Sequence, residues 1–227
     1  MRPDMTHRPI AGESPQTCEV ELLLFDLGGV ILDFVGLSEV GALLPEPLLE
    51  EEIRTRWLES PCIRAFEVGG MSPEAFAKQF VAEWRLRISP GEFLARFEEW
   101  NRGLLPGAAE LLAELVPHYR LAALSNSNEL HWRLLQEDTG IDAFFELALS
   151  SHELGRVKPD RRAYESALAR LGVAPEAVVF LDDNLPNVEG ATNVGIRAYL
   201  ARGIEGARAA LREAGVLPLE SQSQSEG

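Results

Sequence analysis

The chain has 227 residues, with 21 Lys or Arg against 36 Asp or Glu, for a formal net charge of −15. That length suits one large domain, or a core with an insert, and is enough to bury a hydrophobic core without disulfide staples. Such acidity excludes nucleic acid or anionic lipid as a bulk electrostatic partner. Lys78 and Lys158 are the only lysines, every other basic residue being arginine.

The opening stretch, MRPDMTHRPIAGESPQ, carries charges and prolines but no apolar core, so it is not expected to act as a secretory signal. Residues 1–19 are expected to be a disordered or loosely attached segment. Cys18 and Cys62 form no CxxC or Cys/His pattern, so a reducing, cytoplasmic setting is the expectation. No apolar run approaches the roughly 18–20 residues of a membrane span, so no membrane partner is expected.

In chain order, residues 20–25 (VELLLF) form a short apolar run that stops at Asp26-Leu27-Gly28-Gly29, the pattern of a buried strand ending in a turn. From 37 to 101 no strand run stands out. Helical patterns lie there around LLEEEIRTRWLE, SPEAFAKQFVAEWR and SPGEFLARFEEW, with Ser72-Pro73 and Ser89-Pro90 reading as N-cap and first helical residue. Trp57, Trp84 and Trp100 fall in this stretch and are read as core. Then come a helix over 107–117, a strand over 120–124, a helix over 128–138 and a strand over 145–149. A helix over 160–171, with Pro159 near its start and Gly172 past its end, precedes strands over 177–181 and 196–200. Continuous apolar runs alternating with helices predict an α/β, Rossmann-like, doubly wound parallel sheet. The core is expected over 20–36 plus 102–216, an all-helical cap over 37–101, and a polar, disordered tail over 217–227.

The polar residues that interrupt the apolar runs sit at strand ends: Asp26 after the first, Ser125-Asn126 after LAAL, and Asp182-Asp183-Asn184 after VVFL. Lys158 lies in the connection after the 145–149 strand. Ligands of open α/β sheets bind outside the carboxyl ends of the strands, so these residues are expected to converge. Asp26, Asp182 and Asp183 together repel unless a cation or proton intervenes, and Mg2+ suits carboxylate and carbonyl oxygens. Gly28 and Gly29 bring backbone N–H groups close to an anion. Ser125 offers a hydroxyl donor, and Lys158 a charge for a phosphoryl oxygen or for the nucleophilic carboxylate. Such a set suits phosphoryl transfer, with Asp as a covalent nucleophile. Asp183 or Asn184 is also expected to cap a helix. The scattered histidines (His7, His118, His131, His152) are read as surface or structural, His152 lying nearest the site in sequence. Arg54, Arg56 and Arg64 are read as mostly solvated, with room for one to face a substrate.

FDLGGVILD, LSNSN, GRVKPD and FLDDNLPNVEGA together resemble the four ordered motifs of the haloacid dehalogenase superfamily, over most of residues 20–200. The resemblance implies a Rossmann-like core with a C1-type cap, Mg2+ dependence and an aspartyl-phosphate intermediate. It implies that Asp26 is nucleophile and metal ligand, that the Gly28 carbonyl is a second ligand, and that Asp183, with Asp182 helping, anchors the metal. Ser125 and the Asn126 amide would hold the phosphoryl group, with Lys158 neutralising charge and Gly29 also in the phosphate cradle.

One departure stands out. Most phosphatases of this superfamily carry a second Asp two residues after the nucleophile, and that position here is Gly28. The FDLGG form resembles small sugar-phosphate phosphatases. Without that acid, three routes stay open: a leaving group that departs unaided, another residue in its place (Asp33 or one from the cap), or a weak or inactive protein. The expected activity is hydrolysis of a small-molecule phosphate monoester. A 2-haloacid dehalogenase, for which the Asp182-Asp183 pair would be idle, and a phosphate-binding scaffold are the alternatives.

Overall fold

The computed structural model describes residues 19–138 and 140–219, so the expected N-terminal segment to residue 18 and the tail from 220 lie outside the described residues. The chain begins with β1 (Leu22–Phe25) and β2 (Leu32–Phe34), followed by helices α1 (Gly36–Leu43), α2 (Glu50–Glu59), α3 (Pro61–Glu67), α4 (Pro73–Trp84) and α5 (Pro90–Glu98). It returns through β3 (Asn101–Leu104), α6 (Ala108–Leu115), β4 (Arg120–Ser125), α7 (Glu129–Asp138), β5 (Leu147–Ser150), α8 (Ser151–Leu154) and α9 (Arg161–Leu171). It closes with β6 (Val178–Asp182), α10 (Leu185–Thr192), β7 (Arg197–Leu200) and α11 (Gly203–Glu213). No helix among the described residues is long and apolar enough to cross a membrane.

The five apolar runs form one parallel sheet in the order β5-β4-β1-β6-β7. Successive side chains of a strand point to opposite faces, and both faces are covered. Leu23, Phe25, Leu121, Ala123, Val179 and Leu181 pack with Leu111 and Leu112 of α6 and Ala207 and Leu211 of α11. Leu22, Leu24, Ala122, Leu124, Val178 and Phe180 pack with Tyr164 and Ala167 of α9 and Ala191 of α10 on the other. That double burial is why the strands read as continuous apolar runs. From β1 the chain moves outward to β4 and β5, then returns to β6 and β7, which opens a crevice at the carboxyl ends of β1 and β6.

Helices α1 to α5 build a second, aromatic cluster, in which Phe66, Phe76, Phe80, Trp84, Phe93, Phe97 and Trp100 are all buried. Ser72 accepts from Ala75 N at the start of α4, and Ser89 and Glu92 cap α5 reciprocally. The sequence-based reading missed the two-stranded antiparallel ribbon of β2 and β3, which joins this helical lobe to the sheet. Its strands, LDF and NRGL, are too short to show alternation. Beyond α11, Leu217 packs on the core and its N–H donates to Leu211 O.

Phe80 is fully buried against Phe76, Trp84 and Phe93. Phe80→Ala is expected to lower unfolding free energy by about 3–5 kcal/mol, through lost transfer energy and a cavity, read as a shift in the urea midpoint.

Candidate active site

Asp26 follows the last residue of the central strand, where its N–H donates to Leu181 O of β6. Ser125 ends β4 and Asp182 ends β6, so the parallel register brings all three to one edge. The loop after α8 delivers Lys158, which is almost wholly buried. Its Nζ donates to Asp26 Oδ1 (2.8 Å), Asp182 Oδ2 (2.7 Å) and Leu124 O (2.7 Å), and lies 5.2 Å from the centre of the Phe180 ring. An ammonium has three hydrogens, and each has its acceptor here.

The side chain of Asn126 braces this loop from both sides: its Nδ2 donates to Lys158 O (2.9 Å) and its Oδ1 accepts from Lys158 N (2.8 Å). Asp182 is fully buried and fully engaged. Its Oδ1 accepts from Asn184 N (2.9 Å), and both its oxygens accept from Asn187 Nδ2 (3.0 and 3.1 Å) in addition to the Lys158 contact. Asp183 instead faces the cavity. Its Oδ1 accepts from Asn184 Nδ2 (2.7 Å) and its Oδ2 from Arg54 Nη1 (2.9 Å), which also donates to Asn184 Oδ1 (2.9 Å). The expected capping role is therefore absent: Asn184 sits at the N-cap position of α10 without a side-chain cap bond, because Asp183 and Arg54 take its amide.

A cavity of about 570 Å³ opens between sheet edge and helical lobe. Asp26, Gly28, Gly29, Ser125, Asn126, Lys158 and Asp183 line it; Asp182 does not. From the lobe come Arg54, Trp57, Arg64 and Glu67. Of the three arginines considered from the sequence, Arg56 turns away to stack on Trp84 and donate to Glu83 O. Trp84 and Trp100 are core as expected, whereas Trp57 also lines the cavity. Neither Asp33 nor His152 lines it, and the His152 ring bonds Ser150 Oγ. His131 does line it, with both ring nitrogens engaged. The Phe97 carbonyl accepts from Nε2–H, and Nδ1 accepts from Asn128 Nδ2. Burial pulls its pKa down to about 4, so it is neutral at neutral pH.

Burial pushes the Asp26 carboxyl up to about 7. Lys158 opposes this, while Asp182 and Asp183 reinforce it; a single lysine shared between Asp26 and Asp182 does not offset the desolvation. Burial also raises Asp183, with Asp182 adding and Arg54 opposing. Burial alone would lower Lys158, but Asp182 and Asp26 carry it above its ordinary value. The residues fit a hard divalent cation. Asp26, Asp182 and Asp183 each present a carboxylate oxygen within 4.8 Å of the others. Gly29, at φ +75°, brings the backbone so close that a Cβ there would lie 2.9 Å from Asp183 Oδ2. Glu67 and the Arg54–Asp183 pair escaped the sequence-based reading; Asn187 lies inside the fourth motif without having been singled out.

A model of haloacid dehalogenase-like hydrolases matches residues 20–195. The chain is 29% identical to phosphatase MT3486 of Mycobacterium tuberculosis, over 80% of this chain and 87% of that protein. It is 27% identical to an (S)-2-haloacid dehalogenase of Xanthobacter autotrophicus, over 78% of this chain and 72% of that one. Among solved structures, the enzyme bt-2542 of Bacteroides thetaiotaomicron, crystallised with magnesium and inorganic phosphate, shares the fold at TM-score 0.63 and 21% identity, covering 81% of this chain and 94% of its own.

Removing the ammonium leaves Asp182 buried without its cation, so Lys158→Met is expected to destabilise the protein by about 3–5 kcal/mol in urea unfolding. Asp26 binds its proton more tightly folded than unfolded, so it adds stability at acid pH that is lost as pH rises through about 7. In metal-free protein the melting temperature of Asp26→Asn relative to the parent is therefore expected to climb from about pH 5 to about pH 8.

Proposed function

Because the chain belongs to the haloacid dehalogenase-like hydrolases, we propose that it is a Mg2+-dependent phosphatase for a small phosphate monoester, working through an aspartyl-phosphate on Asp26 beneath a cap formed by α1 to α5. The observation that carries this reading is the joint placement of Asp26, Ser125, Lys158 and Asp183 around one cavity. Lys158 holds Asp26 Oδ1, which leaves Oδ2 to attack phosphorus. Ser125 and Asn126 line the cavity, and the Ser125 hydroxyl and the Asn126 N–H serve as donors to the phosphoryl oxygens, whereas the N–H of Gly29, expected from the sequence to join them, donates to Leu32 O (3.0 Å). Asp26, Asp183 and the Gly28 carbonyl, with Asp182 behind them, would hold Mg2+, which neutralises phosphoryl charge when bound. The reading makes Lys158 a positioning residue, since its three hydrogens are already committed to protein oxygens.

Sugar phosphates are the first substrate class to try, on the FDLGG form of the first motif; Trp57 and Leu58 of the cap, with Phe34 of β2, also offer an apolar wall. A second reading, 2-haloacid dehalogenase, draws on the likeness to the Xanthobacter enzyme and on the missing acid at Gly28. It leaves Asp183 in the cavity without a task.

Incubated with a broad panel of phosphate monoesters and Mg2+, the protein is expected to release phosphate, to stop on chelation and to restart when Mg2+ is restored. Asp26→Asn is expected at background. No release from any ester, with Asp26→Asn indistinguishable from the parent, would sink the phosphatase. Chelator-insensitive chloride release from a 2-haloacid would put the second reading in its place.

A further inference from the structure

Cleaving the ester of a poor leaving group requires a proton for the departing oxygen, and hydrolysing the aspartyl-phosphate requires a base for water. Gly28 has no side chain to supply either. The other carboxylates, the amine and the imidazole lining the cavity are engaged or exposed, and the Arg64 guanidinium and the Ser125 hydroxyl are too weakly acidic to serve. Lys158 donates all three hydrogens, and both nitrogens of His131 are bonded. Asp183 holds Arg54 and Asn184, and Glu50 is largely exposed beside Arg54. Glu67, the last residue of α3, is different. It lines the same cavity as Asp26 and is partly buried, and among the described residues its carboxylate has no hydrogen bond or ion pair.

We propose that Glu67 is the proton donor to the leaving group and the proton acceptor from the attacking water, an assignment that rests on the phosphatase reading. Its backbone is pinned to the sheet edge. Ser151 Oγ donates to Glu67 O (2.7 Å) and accepts from Ser127 N (3.0 Å), tying the end of α3 to the loop that follows Ser125. Gly69, at φ +73°, packs so close that a Cβ there would lie 3.3 Å from His152 O. The charged groups that act on Glu67 are Lys158 and Asp26 from the core and Arg64 from its own helix. Burial, with Asp26 adding and Lys158 and Arg64 opposing, raises its carboxyl to about 7, which suits a group that gives and takes a proton near neutrality.

In the first step Asp26 Oδ2 bonds to phosphorus as the ester P–O bond breaks. The departing oxygen takes the electron pair and the Glu67 proton, leaving as the alcohol. In the second, water bonds to phosphorus and gives a proton to the Glu67 carboxylate. The P–O bond to Asp26 breaks, phosphate leaves, and both carboxyls return to their starting states.

The test compares an alkyl phosphate with 4-nitrophenyl phosphate, whose leaving group needs no proton, in Glu67→Gln and in Glu67→Gln/Gly28→Asp. A Cβ at Gly28 would meet only Phe34, at 3.7 Å or more, so an acid there has room. For Glu67→Gln, kcat on the alkyl ester is expected to fall about 100-fold or more with KM little changed. With the aryl ester, a first-turnover burst of nitrophenolate is expected to survive at close to the parent rate, followed by slow turnover. The double variant is expected to regain about 10-fold of the alkyl rate or more, with a shifted pH profile. Melting curves matching the parent's separate these effects from unfolding. Unchanged rates in Glu67→Gln, or an equal fall on both esters with no burst and no rescue, would overturn the assignment while the phosphatase stands. A parent inactive on both esters and on the whole panel would remove the phosphatase and this role together.

Discussion

A single ammonium organises the site. An unpaired lysine in a protein interior costs several kcal/mol, so Lys158 has to find acceptors, and it takes one from each of three neighbouring strands: Leu124 O of β4, Asp26 at the end of β1 and Asp182 at the end of β6. Those contacts hold the carboxyl ends of the strands together at the crevice where the topology reverses. Asn126 and Asn187 then fix the two ends of the arrangement, the first by bracing the loop that carries Lys158 and the second by bonding the carboxylate on its far side. The arrangement commits Asp26 Oδ1 and both oxygens of Asp182, while Asp26 also lines the cavity.

The helical lobe supplies what the sheet edge lacks. The sheet brings three aspartates and one lysine to the same point, a cluster short of positive charge and of a mobile proton. Arg54 reaches down from α2 to Asp183, and Glu67 from α3 stands over the same cavity with its carboxylate uncommitted. Neither placement is local in sequence; each brings a residue of the insert to the core. Both helices pack into the aromatic interior of the lobe, through Ile53 of α2 and Ile63 and Phe66 of α3, and the Ser151–Glu67 bond ties α3 to the sheet.

The fold was legible because its determinants are local. Strands buried on both faces must be apolar at every position, so VELLLF, LAAL and VVFL announce themselves, and their ends show where the chain can afford a charge. Ser72 and Ser89 were readable as caps because a cap bonds a backbone group a few residues away. The β2–β3 ribbon was not readable: three- and four-residue strands carry no period, and their pairing is with a segment more than sixty residues distant.

The sequence by itself determined the parallel α/β core, the helical insert and the identity of the groups at the strand ends, because burial and backbone capping act over a few residues and leave a periodic trace. Only the tertiary structure decided how those groups divide their work: Asp182 turned inward to Lys158 while Asp183 faces the cavity, two adjacent aspartates that no local pattern distinguishes. It also decided which side chains of the insert meet them. Arg54 and Glu67 look in sequence like any charged residues on a helix surface, and their places on the cavity follow from how the lobe docks, a long-range packing outcome that leaves no period to read.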